Sequence, residues 1–223
     1  MNTASASSHE SKASPNSHAA PIVFVVDGDD SVRQSLELLI QSEGWQAEVF
    51  ACAQEFLSCP PVLASSCLVL DVALPDLYGL DLQKRVADRI EMPVIFITAH
   101  ADARTTVRAL KAGAVDFLTK PIRNELLLVA IRHAIERSLA ALRHEAQIRP
   151  LRERYASLSR REREVMGLIV SGRLNKEVGG ELGISEITVQ AHRGRVMQKM
   201  RAGSLAGLVN MAARLPLTSG PKG

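Results

Sequence analysis

The chain has 223 residues, enough for two domains, with 46% hydrophobic residues, only 4% aromatic ones and a net charge of +3. No apolar run approaches the ~18 residues of a membrane helix, the six histidines show no clustered ligand spacing, and Cys52, Cys59 and Cys67 form no CxxC pair. Membrane spans, zinc sites and a disulfide framework are therefore excluded as expectations, and the composition suits helix-rich, Ala/Leu/Val-packed domains in a reducing cytoplasm.

Residues 1–20, rich in Ser, Ala and Asn, lack the basic and apolar regions of a signal peptide and are expected as a disordered tail. The β-branched run Ile22–Val26 predicts a strand and leads directly into Asp27-Gly28-Asp29-Asp30. A helical pattern over Ser31–Glu43 precedes a weaker strand at Ala47–Phe50 and a short helix near Gln54–Ser58. Cys67–Leu70 runs into Asp71, a helix is expected over Gly79–Arg89, and Pro93–Ile97 runs into Thr98. After a helix over Asp102–Ala112, Val115–Leu118 is followed by Thr119-Lys120-Pro121, and the next helix starts at Arg123. Apolar strands alternating with amphipathic helices predict an α/β domain, a parallel sheet covered on both faces. Right-handed crossovers restrict it to a doubly wound sandwich.

Leu128, Ile131, Ile135, Leu139 and Leu142 carry the last helix outwards at spacings of three and four. Arg149-Pro150 is expected to interrupt it, because proline disfavours helix at the residue before it. A wholly helical segment follows, with Ser159 as N-cap and Glu162 completing a capping box. Helices are predicted at Arg160–Val170, Asn175–Leu182, Glu186–Met200 and Ser204–Arg214, with an inward face on the third made by Ile187, Val196, Met197 and Met200. Residues 216–223 read as a second disordered tail. The segments differ in charge: Pro21–Arg137 holds 11 Lys/Arg against 16 Asp/Glu, whereas Leu151–Leu215 holds 12 against 6. A basic helical half suggests a polyanionic partner such as nucleic acid, and a charged, solvated helical surface would show the same balance.

Ligands of doubly wound sheets gather beyond the carboxyl ends of the strands. Asp27, Asp71, Thr98 and Lys120 fall there, each at the end of a different strand. Together they suit a phosphoryl site: a carboxylate nucleophile, acids for Mg²⁺, a lysine for the incoming oxygens and a hydroxyl to bind them afterwards.

These residues give residues 21–137 a resemblance to the receiver (response regulatory) domain, carried by Val26-Asp27, Leu70-Asp71 with Leu74-Pro75 and Gly79, Thr98-Ala99, and Lys120-Pro121. The resemblance implies a flavodoxin-like (βα)5 fold with Asp71 as phosphoacceptor and Thr98, Lys120 and Phe117 as the phosphoryl switch. It further implies Mg²⁺ held by Asp27, Asp71 and the backbone of Ala73. Such domains usually carry two adjacent acids after the first strand, and Gly28 stands in place of the second. Asp29 or Asp30 is the candidate replacement, since glycine loosens a turn. Ala73, two residues past Asp71, supplies no acid or base for turnover, so an enzyme is not expected.

Residues 158–215 resemble a LuxR-type helix-turn-helix, a second, smaller all-α domain reached through a helical linker at 138–157. The likeness rests on Leu158-Ser-Arg-Arg-Glu162, Asn175-Lys176-Glu177, Leu182-Gly183-Ile184-Ser185, and Thr188-Val189 with His192-Arg193. It implies DNA contacts from Gln190 and Arg193 near base edges or the adjoining backbone, and from Lys176, Thr188, Arg195 and Lys199 at phosphates. Receiver and effector together resemble the FixJ branch of the NarL/FixJ response regulators, which includes rhizobial regulators of nitrogen fixation and nodulation. The implied function is a cytoplasmic, phosphorylation-activated transcription regulator of a two-component system. Its partners would be a sensor histidine kinase, double-stranded promoter DNA, RNA polymerase and, once phosphorylated, a second copy of itself. The competing expectation, favoured by Gly28, is a degenerate receiver on a DNA-binding protein controlled by a partner without phosphorylation. Gly179-Gly180 inside a helix predicts a marginally stable effector domain, at ~1 kcal/mol per glycine.

Overall fold

The runs Ile22–Val26, Cys67–Leu70 and Val94–Ile97 have no face suited to water, and the fold covers both. The computed structural model describes residues 20–215 apart from Leu63, Ile90 and Ala101, so the expected tails lie outside the described residues save Ala20. Its two compact units divide between Ala140 and Ala141. The first contains β1 (Ile22–Val26), α1 (Asp30–Ser42), β2 (Gln46–Phe50), α2 (Ala53–Ser58), β3 (Ser66–Asp71), α3 (Gly79–Arg85), β4 (Val94–Thr98), α4 (Ala103–Lys111), β5 (Asp116–Thr119) and the start of α5 (Asn124–Ala156).

The five strands form one parallel sheet in the order β2-β1-β3-β4-β5. Alternation along each strand sorts the side chains into two cores. Phe24, Val26, Leu68, Leu70 and Phe96 pack with Phe56, Leu80, Leu82 and Ala109 of α2, α3 and α4. Val23, Val25, Val69, Ile95 and Ile97 pack with Leu36 and Ile40 of α1 and with Leu127, Ile131 and Ala134 of α5. Ser138 fixes α5 beneath the sheet: its Oγ accepts from the Ser66 amide at 2.9 Å and donates to the Glu91 carbonyl. Cys67 is fully buried, and burial alone pushes its thiol up to about 12, which makes it an inert core residue. None of the described helices is long and apolar enough to cross a membrane.

Two expectations require correction. The helix after Asp71 ends at Arg85, not Arg89. Pro150 does not interrupt α5, which continues to Ala156. Proline removes one helical hydrogen bond, but Ile148 and Leu151 on either side are buried in the core of the second unit, and that packing outweighs the loss.

That second unit comprises the end of α5 with α6 (Arg160–Val170), α7 (Asn175–Leu182), α8 (Glu186–Met200) and α9 (Leu205–Ala213). The capping box forms as expected, with Ser159 accepting from the Glu162 amide and Glu162 from the Ser159 amide. Gly183 closes α7 in the left-handed region at φ 65°. The glycine pair in α7 divides in role. A Cβ on Gly179 would stand 2.7 Å from the Ile184 carbonyl oxygen, so only glycine lets α7 approach the turn before α8, whereas a Cβ on Gly180 would meet open space. Accordingly, urea denaturation of the full chain should show Gly180→Ala stabilising the helical unit by about 0.5–1 kcal/mol. Gly179→Ala should destabilise it despite the better helix propensity.

Candidate functional site

The strand order brings three side chains to one point. Asp27 follows β1, Asp71 ends the neighbouring β3, and Lys120 follows β5. Lys120 Nζ donates to Asp27 Oδ2 at 2.6 Å and to Asp71 Oδ2 at 2.7 Å. The second oxygen of each acid takes a backbone amide: Asp29 N at 2.9 Å on Asp27 and Ala73 N at 3.0 Å on Asp71. Asp27 is fully buried and Asp71 is 8% exposed, so Asp71 is the carboxylate with access to solvent. Burial opposes the Lys120 charge, but hydrogen bonds and attraction from Asp27 and Asp71 outweigh it and hold the ammonium above the usual lysine range. By linkage, the resulting stabilisation is present at neutral pH and is lost only as pH rises through that raised value.

Gly79 sets the position of Asp71. A Cβ there would collide with the Asp71 carbonyl oxygen, so α3 begins directly against the loop that presents the acid. Asp76 anchors the same loop by accepting from the amides of Ala53 and Gln54 at the start of α2, at 3.0 and 2.9 Å. Thr98, buried at the end of β4, lies beside Lys120, whose amide donates to the Thr98 carbonyl at 2.8 Å. Among the described residues, its hydroxyl makes only long bonds to the His100 backbone, at 3.3 and 3.4 Å. Phe117 of β5 is half-buried against Phe96, with ring centroids 6.0 Å apart.

Mg²⁺ usually binds one or two protein carboxylates and retains several waters. Asp27 and Asp71, already bridged by one ammonium, fit that requirement, although no group of three or more His, Cys, Asp or Glu is gathered for a metal among the described residues. Asp29 and Asp30 point to other work. Asp29 caps α1, its Oδ1 accepting from the amides of Ser31 and Val32, while Asp30 binds Arg33 and Gln34. Gly28 is not demanded by the turn: its φ is not positive, and a Cβ would make only an ordinary contact with Pro75 Cδ at 3.5 Å.

In the second unit the expected inward face of α8 needs correction. Val189, Val196 and Met200 are buried, with Met197 packed against them, but Ile187 is 84% exposed. Helical geometry gives the reason. At about 100° per residue, 189, 196 and 200 share a side, while 187 lies half a turn away. Gln190 and Arg195 are exposed, as is Lys176 on α7. Thr188 is half-buried, with its hydroxyl 2.8 Å from that of the capping Ser185. Two expected DNA contacts have structural partners. Arg193 donates to Asn175 Oδ1 at 3.2 Å, joining α8 to α7. Lys199, expected at a phosphate, donates to Glu162 Oε2 at 2.7 Å and to the Ser157 carbonyl at 3.2 Å. Those bonds hold the Glu162 carboxyl below the usual range, with Lys199 the first cause and the Ser159 amide the second. The capping box marks Glu162 in the sequence, but its pairing with Lys199, 37 residues away, comes from tertiary folding.

Two family models match the chain. Residues 23–132 match the response regulator receiver domain, and residues 156–212 match the luxR family of bacterial regulatory proteins. Nodulation protein W of Bradyrhizobium diazoefficiens is 47% identical over 199 residues, covering 89% of this chain and 88% of that protein. Transcriptional regulatory protein FixJ of the same organism is 40% identical, covering 86% and 94%. The solved structure of the response regulator StyR is 41% identical, covers 88% of this chain and all of its own, and superposes with a TM-score of 0.72.

Two variants test these assignments. Gly28→Asp should fold normally and tighten Mg²⁺ binding, measured calorimetrically, by about tenfold, because a further carboxylate raises ligand charge. Lys199→Ala should lower the denaturation free energy of the helical unit by roughly 1–3 kcal/mol, the cost of stripping a buried carboxylate of its charged donor. A phosphate-contacting lysine would leave stability unchanged.

Proposed function

The chain belongs to the two-component response regulators of the NarL/FixJ type, transcription regulators that join a receiver to a LuxR-type DNA-binding domain, and on that premise we propose that Asp71 takes the phosphoryl group from a histidine kinase. The carrying observation is the Lys120 ammonium held 2.7 Å from Asp71 and 2.6 Å from Asp27. An Asp71 carboxylate oxygen attacks the phosphorus of a kinase phosphohistidine, a P–O bond forms, and the P–N bond breaks to return the imidazole. Lys120, already in place, balances the charge brought by the phosphoryl oxygens. Mg²⁺, held by Asp27, Asp71 and the Ala73 carbonyl, would supply further neutralisation of those oxygens. Ala73 stands where a turnover enzyme needs an acid or base, so the acyl phosphate serves as a signal and not as an intermediate of substrate turnover.

The signal spreads through weakly held groups. The Thr98 hydroxyl gives up its long bonds to His100 when it turns to the phosphoryl oxygens, and Phe117 follows on the adjoining strand. The outlet is the face built by α4, β5 and α5, where Val107, Leu110, Leu126 and Val129 are 45–50% exposed. A second copy covers these side chains, and dimerisation pairs two recognition helices on promoter DNA. Exposed Gln190, Arg195 and Lys176, with Thr188 at the helix start, supply its DNA contacts, and Arg193 braces α8 against α7. RNA polymerase and a cytoplasmic location follow from action at a promoter.

Gly28 favours the second reading, a receiver controlled without phosphate. The deciding experiment treats the full chain with acetyl phosphate and resolves phosphorylated from free protein on a phosphate-retarding gel. Mg²⁺-dependent phosphorylation is expected in the wild type and none in Asp71→Asn, with dimerisation following the phosphate. An unphosphorylated wild type, also inert to a cognate kinase, would establish the second reading.

A further inference from the structure

Ile187 is 84% exposed, the highest value among the exposed large hydrophobic residues described. It stands in the first turn of α8, directly after Ser185 and Glu186. The Ser185 hydroxyl accepts from the Thr188 amide at 3.2 Å, which fixes the backbone that carries the isoleucine. At 3.6 residues per turn, Ile187, Ala191, Gly194 and Gln198 fall on one line along the helix. That line lies opposite the buried side of Val189, Val196 and Met200. All four are exposed, none is charged, and Gln190 and Arg195 flank them. A Cβ on Gly194 would meet nothing, so its absence leaves the middle of the line flat, not filled from within the domain.

We propose that Ile187 is a specificity-determining residue of the DNA interface, packing its side chain on the 5-methyl group of a thymine in the major groove. The proposal rests on the reading of α8 as the recognition helix. The first residues of such a helix reach base edges, and in the major groove the thymine methyl is the one apolar feature that tells a T·A pair from the others. Guanine is read by a bidentate Arg or Lys, and the outermost line of α8 carries neither. Arg195, at its margin, suits a phosphate or a flanking base. The occupant follows from the arrangement: an uncharged, partly apolar strip bordered by a cation on a helix of a DNA-binding unit fits a thymine-bearing groove.

The test uses the full chain treated with acetyl phosphate and Mg²⁺ to select duplexes from a random DNA library. In a selected duplex, each thymine is then replaced in turn by deoxyuridine, which lacks only the methyl group. Wild-type protein should lose about fourfold in affinity at one thymine per half-site, the factor for one buried methyl. Ile187→Ala should bind the two duplexes equally. A side chain this exposed can be shortened without touching the core, so the variant folds. Indifference of the wild type at every thymine, or retained discrimination in Ile187→Ala, would overturn the proposal and leave the DNA-binding reading standing. A wild type that selects no sequence would overturn both.

Discussion

The receiver half depends on one ammonium between two carboxylates. Asp27, Asp71 and Lys120 are far apart in sequence and meet because β1 pairs with β3 and β4 leads on to β5. Without the lysine, two acids would face each other in a largely buried pocket with no counter-charge between them. With it, Asp71 is held as a solvent-accessible carboxylate with a positive charge already beside it. In the proposed phosphotransfer, the lysine that balances two acids at rest would also meet the arriving phosphoryl oxygens, so little reorganisation would be needed around it. Around that lysine the structure is close-fitting where Asp71 is presented, at Gly79, and loosely bonded at the Thr98 hydroxyl among the described residues.

The helical half shows that a basic composition is not the same as a basic surface. Part of its positive charge has internal uses. Lys199 neutralises Glu162, and Arg193 ties α8 to α7. The charge left for DNA is therefore smaller than the residue count suggests, and the outermost line of α8 carries none. Phosphate attraction positions such a helix without telling one sequence from another. On the proposal made for Ile187, discrimination would fall to the uncharged side chains that project furthest.

Much of this was legible in the sequence, and the failures share a cause. Apolar runs ending in Asp27, Asp71, Thr98 and Lys120 marked both the strands and the edge where they meet, because buried parallel strands leave little choice of residue. The capping box at Ser159 and Glu162 was equally direct. Pro150 and Ile187 depart from expectation because at each a local rule meets a stronger competitor. At Pro150 the burial of Ile148 and Leu151 overrides proline's helix penalty. At Ile187 hydrophobicity does not bring burial, because the phase set by Val189, Val196 and Met200 places it outside. Partners such as Lys199 for Glu162, 37 residues away, depend on tertiary folding and leave no periodic trace. The tight approach behind Gly179 is likewise invisible until the turn at Ile184 is seen against it.

In the proposed mechanism, Lys120 is the group on which the resting acids and the incoming phosphoryl oxygens converge. The most direct measurement follows the side-chain ammonium resonance of Lys120 in the full chain with ¹⁵N-labelled lysine, assigned by its loss in Lys120→Arg. Spectra are compared before and after treatment with acetyl phosphate and Mg²⁺. This resonance should move as Asp71 is phosphorylated and stay fixed in Asp71→Asn under the same treatment. A phosphorylated Asp71 with the Lys120 resonance unmoved would contradict it.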